Sequence, residues 1–240
     1  MLRSQFILAL LMLAGLNSAR ADGDCVVLLH GMARGAGSMA GLQERLEAAR
    51  FSVVNIDYPD RRGTIASLAE QAVEEGLRQC EEKNPQRINF VTHSLGGILV
   101  RYYFALQHHP RLHRVVMLGP PNNGSEVVDL LRNMPGYTLF TGLVGTELGT
   151  DGNSVPLNLP PVEFELGVIA GTVSLNPLFD LVVPDPNDGT VSVASTRVEG
   201  MRDHIVLPVS HTLMMYNNAV KDNVVHFLVT GEFLEEQPPP

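Results

Sequence analysis

A chain of 240 residues, 45% hydrophobic and 18% charged, is long enough for one α/β domain with a fully buried sheet, and this composition excludes a chain that is mainly disordered. The formal net charge is −9, and no face is rich in Lys and Arg. This excludes the electrostatic footprint of a nucleic-acid binder and argues against charge-driven binding to anionic membranes.

The first 21 residues read as a cleavable leader. Arg3 gives a positive start, residues 6–16 are almost uninterruptedly apolar, and Ala19-Arg20-Ala21 supplies a small-x-small cleavage pattern. An apolar run of this length cannot cross a bilayer, which needs roughly 20 residues. A secreted or periplasmic mature chain beginning at Asp22 is therefore expected, with no stable membrane span. Export leads to an oxidising compartment. Cys25 opens the first strand pattern and Cys80 closes a helical one, at the same lower sheet edge. A bridge between them is feasible, and two separate buried thiols are the alternative.

Past the leader, strand-like runs rich in Val, Ile and Leu occur at 25–30, 51–57, 88–92, 115–118, 166–170 and 205–209. Helical patterns occupy 39–49, 64–82, 95–107, 126–133 and 212–228. Apolar runs without polar alternation, separated by amphipathic segments, predict an α/β fold with a mostly parallel sheet covered by helices on both faces. One domain is expected over 22–234, with a disordered tail at 235–240. Residues 120–163 break the rhythm. Only 126–133 looks regular there, glycines stand at 136, 142, 145, 149 and 152, and the apolar residues among them follow no period. A long irregular insertion in a compact domain is expected to form a lid or the wall of a binding site.

Residues 90–97 carry the chemistry. Phe90-Val91-Thr92-His93-Ser94-Leu95-Gly96-Gly97 runs from an apolar strand through a serine into a helical pattern. That context holds a serine hydroxyl clear of the backbone, as a nucleophile requires. Thr92 is bulkier than the small residue usual at its position, so strain is expected there. Acyl transfer also needs two amides aimed at a developing oxyanion. Leu95, opening the helix after the serine, supplies one. The loop after His30-Gly31 supplies the other through Met32, with His30 itself a structural residue of that loop.

His30-Gly31-Met32, Thr92-His93-Ser94-Leu95-Gly96-Gly97 and Gly119-Pro120-Pro121-Asn122-x-Gly124-Ser125 together resemble the signatures of the α/β-hydrolase superfamily, in particular of small bacterial lipases and carboxylesterases. The resemblance implies that the oxyanion strand neighbours the nucleophile strand, with an acid after the penultimate strand and a histidine after the last. Asp188, in Asp188-Gly189-Thr190-Val191, resembles the acid-bearing segment of many lipases, whereas Asp180 and Asp185 read as turn residues beside prolines. Of the histidines, His93 belongs to the elbow, His108, His109 and His113 to a polar loop, and His226 to the last helix. His204 opens the final strand and His211 follows it. The base must stand on the upper sheet edge beside Ser94, which selects His211. Ser94, Asp188 and His211 then form a triad in the α/β-hydrolase order. The expected activity is serine carboxylic-ester hydrolysis through an acyl-enzyme, with no cofactor and no metal. Asp180 and Asp203 lack the ligand-rich loop of a calcium site. The expected partners are a small-molecule ester or lipid, with transient contact to a lipid interface. A thioesterase or acyltransferase on the same fold, or a silent fold that binds lipid or protein, is the alternative.

Overall fold

The computed structural model describes residues 23–234, so the expected leader over 1–21 and tail over 235–240 lie outside the described residues. Six strands, β1 (Cys25–Leu29), β2 (Ser52–Ile56), β3 (Ile88–His93), β4 (Leu112–Leu118), β5 (Glu165–Gly171) and β6 (Asp203–Leu207), form one sheet in the order β2-β1-β3-β4-β5-β6. Every neighbouring pair is parallel. The connections carry α1 (Ala40–Ala48), α2 (Ile65–Glu81) and α3 (Leu95–Leu106), and α7 (Asn218–Thr230) closes the domain.

Strand alternation sorts the core into two layers. Cys25, Val27 and Leu29 pack with Leu68 and Ala72 of α2 and with Ile98 and Leu99 of α3. Val26 and Leu28 pack on the other face with Leu42 and Leu46 of α1 and with Val224 and Phe227 of α7. Full burial of each large side chain contributes roughly 1.5–3 kcal/mol, so both layers are needed to hold the central strands. Thr64 and Ser67 close a capping box at the start of α2, satisfying amides that the helix cannot. Cys25 and Cys80 are bridged, with their Cα atoms 5.8 Å apart. By the chain-entropy relation, closing the 55-residue span stabilises the fold by about 4 kcal/mol.

The structure moves several expected boundaries for local reasons. β6 ends at Leu207 rather than 209 because Pro208 has no N–H with which to continue the ladder. β4 begins at Leu112, which places His113 in a strand and not in the polar loop expected for it. The closing helix begins at Asn218, not 212. Asn217 accepts the Val220 amide as its N-cap, and a 3₁₀ turn over Met214–Tyr216 precedes it.

The insertion is more regular than its sequence suggests. It contains α4 (Glu126–Leu131), α5 (Tyr137–Thr141), a 3₁₀ turn over Val144–Leu148 and α6 (Val155–Asn158). Helices this short show too few turns for a period to emerge, and α5 lies between Gly136 and Gly142, both at positive φ. The segment is stitched to the body at several points. Glu147 accepts the Ile65 amide at 2.6 Å, Ser125 donates to the Thr190 carbonyl, and the buried Arg101 donates to both oxygens of Asn122. Val144 and Leu148 are buried, but Leu139 (83%), Phe140 (69%) and Leu143 (61%) stay exposed.

Candidate active site

The parallel sheet directs the C-terminal ends of β1, β3, β4, β5 and β6 to one edge, where loops from distant parts of the chain meet. Ser94 follows β3 with φ +51° and ψ −118°. A side-chain-bearing residue in such a conformation costs on the order of 1–3 kcal/mol. The surroundings enforce it: the Ser94 amide donates to the Leu118 carbonyl at 2.9 Å, and the Gly97 amide donates to the Ser94 carbonyl at 3.0 Å. The strain therefore falls on the serine, not on Thr92 as expected, since Thr92 stays extended in β3, paired with Leu29 and Met117. Gly96 serves packing: a Cβ there would lie 2.7 Å from the Leu29 carbonyl oxygen, so the glycine lets α3 approach β1.

The structure brings Ser94, His211 and Asp188 into one hydrogen-bonded chain. His211 Nε2 lies 3.0 Å from Ser94 Oγ, and His211 Nδ1 lies 2.7 Å from Asp188 Oδ2. The other carboxylate oxygen of Asp188 accepts the amides of Thr190 and Val191 at 3.0 and 2.8 Å, and the His211 amide donates to the Asp188 carbonyl. A carboxylate can only accept, so Nδ1 carries the proton and Nε2 is left to accept from the serine hydroxyl. This is the tautomer a general base needs.

Two glycines make room for Asp188 and His211, a role that sequence reading gave to neither. A Cβ on Gly119, at φ +53°, would lie 3.0 Å from both Asp188 Oδ2 and His211 Nδ1. One on Gly171 would lie 2.8 Å from the Asp188 Cβ. The available signal was a glycine at the C-terminal end of each of two consecutive core strands.

The loop after β1 lies against Ser94, since a Cβ on Gly31 would come within 3.1 Å of the Ser94 Cβ. Among the described residues, neither the Met32 amide nor the Leu95 amide has a hydrogen-bond acceptor. Leu95 is the first residue of α3, where no intrahelical acceptor exists. His30 serves this loop structurally. Its ring stacks on Tyr58 at 4.2 Å between centroids, its Nδ1 bonds the Gly31 carbonyl, and its own carbonyl accepts the Tyr58 hydroxyl at 2.6 Å. Burial, with Asp60 adding to it, raises the Tyr58 hydroxyl well above the usual tyrosine range and keeps it a neutral donor.

The remaining candidates stand apart. His204 Nε2 pairs with the Thr196 hydroxyl at 2.9 Å, and burial lowers its imidazole to about 4. Asp180 sits in a 3₁₀ turn, and Asp185 accepts from the Asn187 side chain. Asp203 caps the amides of His204 and Phe233. Among the described residues no three of His, Cys, Asp and Glu are grouped to hold a metal ion.

A family model described as palmitoyl protein thioesterase matches residues 25–151, more than half of the chain. The chain belongs to that family. The match to the palmitoyl protein thioesterase family takes in β1, the loop with Met32, Ser94 and most of the insertion, and stops before Asp188 and His211. No curated protein sequence matches significantly. Among solved structures, the mature form of a Bacillus licheniformis lipase is similar with a TM-score of 0.65 at 17% identity, covering 85% of this chain and 89% of that one. A metagenomic carboxyl esterase gives 0.61 at 19%, over 80% of this chain and 65% of the other. Phospholipase PlaB from Legionella pneumophila gives 0.59 at 18%, over 87% and 57%. At such identities the likeness is one of fold. This member of the palmitoyl protein thioesterase family has the α/β-hydrolase fold that its motifs resembled.

Proposed function

We propose that the protein is a serine hydrolase of acyl esters or thioesters that works through an acyl-enzyme on Ser94. The observation that carries this reading is the unbroken chain from Ser94 Oγ through His211 to Asp188, at 3.0 and 2.7 Å. Ser94 attacks the acyl carbonyl while His211 Nε2 takes its proton, and Asp188 steadies the imidazolium. The Met32 and Leu95 amides hold the oxyanion. His211 then protonates the departing alcohol or thiol. Water, activated by the same base, releases the acid and restores Ser94. No step calls on a metal or cofactor.

Oxygen and sulfur esters pass through the same acyl-enzyme, and membership of the palmitoyl protein thioesterase family favours the thioester as a second reading. The insertion over 120–163 acts as a lid, and its exposed Leu139, Phe140 and Leu143 make transient contact with a lipid interface. Among the described residues no helix is long and apolar enough to cross a membrane. A cleaved leader and a periplasmic or secreted location agree with the Cys25–Cys80 bridge.

The test is hydrolysis of p-nitrophenyl esters of increasing chain length beside a matched S-acyl thioester, by wild type and Ser94→Ala. Loss of at least about 10⁴-fold in Ser94→Ala is expected, since removing the nucleophile leaves only binding and oxyanion contributions. A Ser94→Ala variant that keeps wild-type turnover would refute the proposal.

A further inference from the structure

His93 is a fully buried titratable residue beside the nucleophile that has no part in the proton path. Its Nε2 lies 2.9 Å from the main-chain carbonyl of His211, and the two rings sit 4.8 Å apart at 48°. A carbonyl only accepts, so Nε2 carries the proton and Nδ1 is bare. That Nδ1 has no partner and faces the oxyanion loop, since a Cβ on Gly31 would come within 2.6 Å of it. The imidazole therefore lies against two loops that both reach Ser94. One carries the base, and the other carries the Met32 amide.

We infer that His93 is a positioning residue, a neutral imidazole whose Nε2–H fixes the main chain of His211 and so sets the reach of the base to Ser94. The inference rests on the serine-hydrolase reading and names a further residue for it. The main chain of His211 is also held by its amide on the Asp188 carbonyl, which fixes the N-terminal side of the residue. The bond from His93 fixes the other. Burial pushes the His93 imidazole well below the usual histidine range, the charges of His211, Arg34 and His30 push the same way, and the bond to the His211 carbonyl opposes them only in part. His93 therefore stays neutral while His211 cycles through its charged form, and adds no cation beside the imidazolium. Misplacing a reacting group by about 1 Å costs on the order of 10²-fold in rate, which makes a single anchoring bond at this site consequential.

The test compares His93→Gln, His93→Asn and His93→Leu. A glutamine amide reaches as far as Nε2 and can donate to the His211 carbonyl. An asparagine amide reaches only to the place of Nδ1, and leucine has no donor. His93→Gln is expected to hold kcat within about 3-fold of wild type, while Asn and Leu lower it about 10–100-fold at nearly constant KM, the signature of an interaction acting on the chemical step. Should His93→Leu fail to fold, the Gln and Asn pair, both polar and both smaller than histidine, still decides. The inference is overturned if Asn performs as well as Gln, or if folded variants differ only in thermal stability with unchanged kcat. Fluorophosphonate labelling of the wild type separates the two levels. An unlabelled wild type removes the serine-hydrolase reading, whereas a labelled wild type with equivalent Gln and Asn variants removes only the role of His93.

Discussion

Replacing Asp188 with asparagine changes one atom and no volume, yet the surrounding hydrogen bonds determine what that atom does. Oδ1 of Asp188 accepts two backbone amides, from Thr190 and Val191. An asparagine must therefore place its carbonyl oxygen there, because the flipped orientation would set an NH₂ against two N–H donors. The NH₂ then faces His211 Nδ1, which lies 2.7 Å from Oδ2 in the wild type. Nδ1 must become the acceptor, and the ring proton moves to Nε2, 3.0 Å from Ser94 Oγ. The serine now meets a donor where it needs a base. A wrong tautomer of this kind lowers kcat by about 10⁴-fold, or about 5 kcal/mol of barrier. Folding loses only a charge-assisted bond, about 1–3 kcal/mol. Steady-state hydrolysis of p-nitrophenyl butyrate, with thermal unfolding run in parallel, measures both quantities. An Asp188→Asn enzyme that folds and keeps activity within tenfold of wild type would refute the assignment of the acid.

Other expectations test separate parts of the structure. Gly119→Ala adds a Cβ 3.0 Å from both Asp188 Oδ2 and His211 Nδ1 at φ +53°, so kcat should fall by about tenfold or more from displacement of the pair; wild-type kinetics would show that the backbone yields. Replacing both cysteines with alanine should cost about 4 kcal/mol and lower Tm by about 10 °C in a domain of this size. Thermal scans with and without a reductant check this, and kcat below the transition should not change. His204, held down at about 4 by burial, takes up a proton in the unfolded chain near 6.5 but not in the folded one. Stability should therefore fall as pH drops from about 6.5 to about 4, and below that its contribution stops changing. Urea unfolding across this range should give a shallower dependence for His204→Gln, although His93 still contributes; identical slopes would contradict the assignment.

The parallel sheet was legible because central strands buried on both faces are continuously apolar, as in 25–30 and 88–92. Helices were legible where they ran long enough to show a stripe, as α2 does with Leu68, Ala72 and Leu77. Ser94 stood out because its strand–turn–helix context is local. Asp188 and His211 came from chain order and motif likeness, and their approach to Ser94 depends on β5 and β6 lying beside β4, a relation no local pattern encodes. The same limit explains the misplaced strain: Thr92 was judged by its own bulk, whereas the sheet keeps it extended and transfers the unusual dihedrals to Ser94. Gly119 and Gly171 carried only the local mark of a glycine at a strand end, and Tyr58 and His93 act through neighbours remote in sequence, so the pattern around them did not give their roles. The short helices of the insertion were missed because a five-residue element such as α5 completes little more than one turn.

The most direct measurement is the mass of the protein during turnover. Wild type quenched in acid while hydrolysing a slowly deacylated p-nitrophenyl ester is expected to carry one added acyl group, located by peptide mapping to Ser94. The adduct should be absent from Ser94→Ala and should accumulate far more slowly in His211→Ala. An acyl group on any other residue, or steady hydrolysis with no adduct and no fluorophosphonate labelling, would contradict nucleophilic catalysis by Ser94.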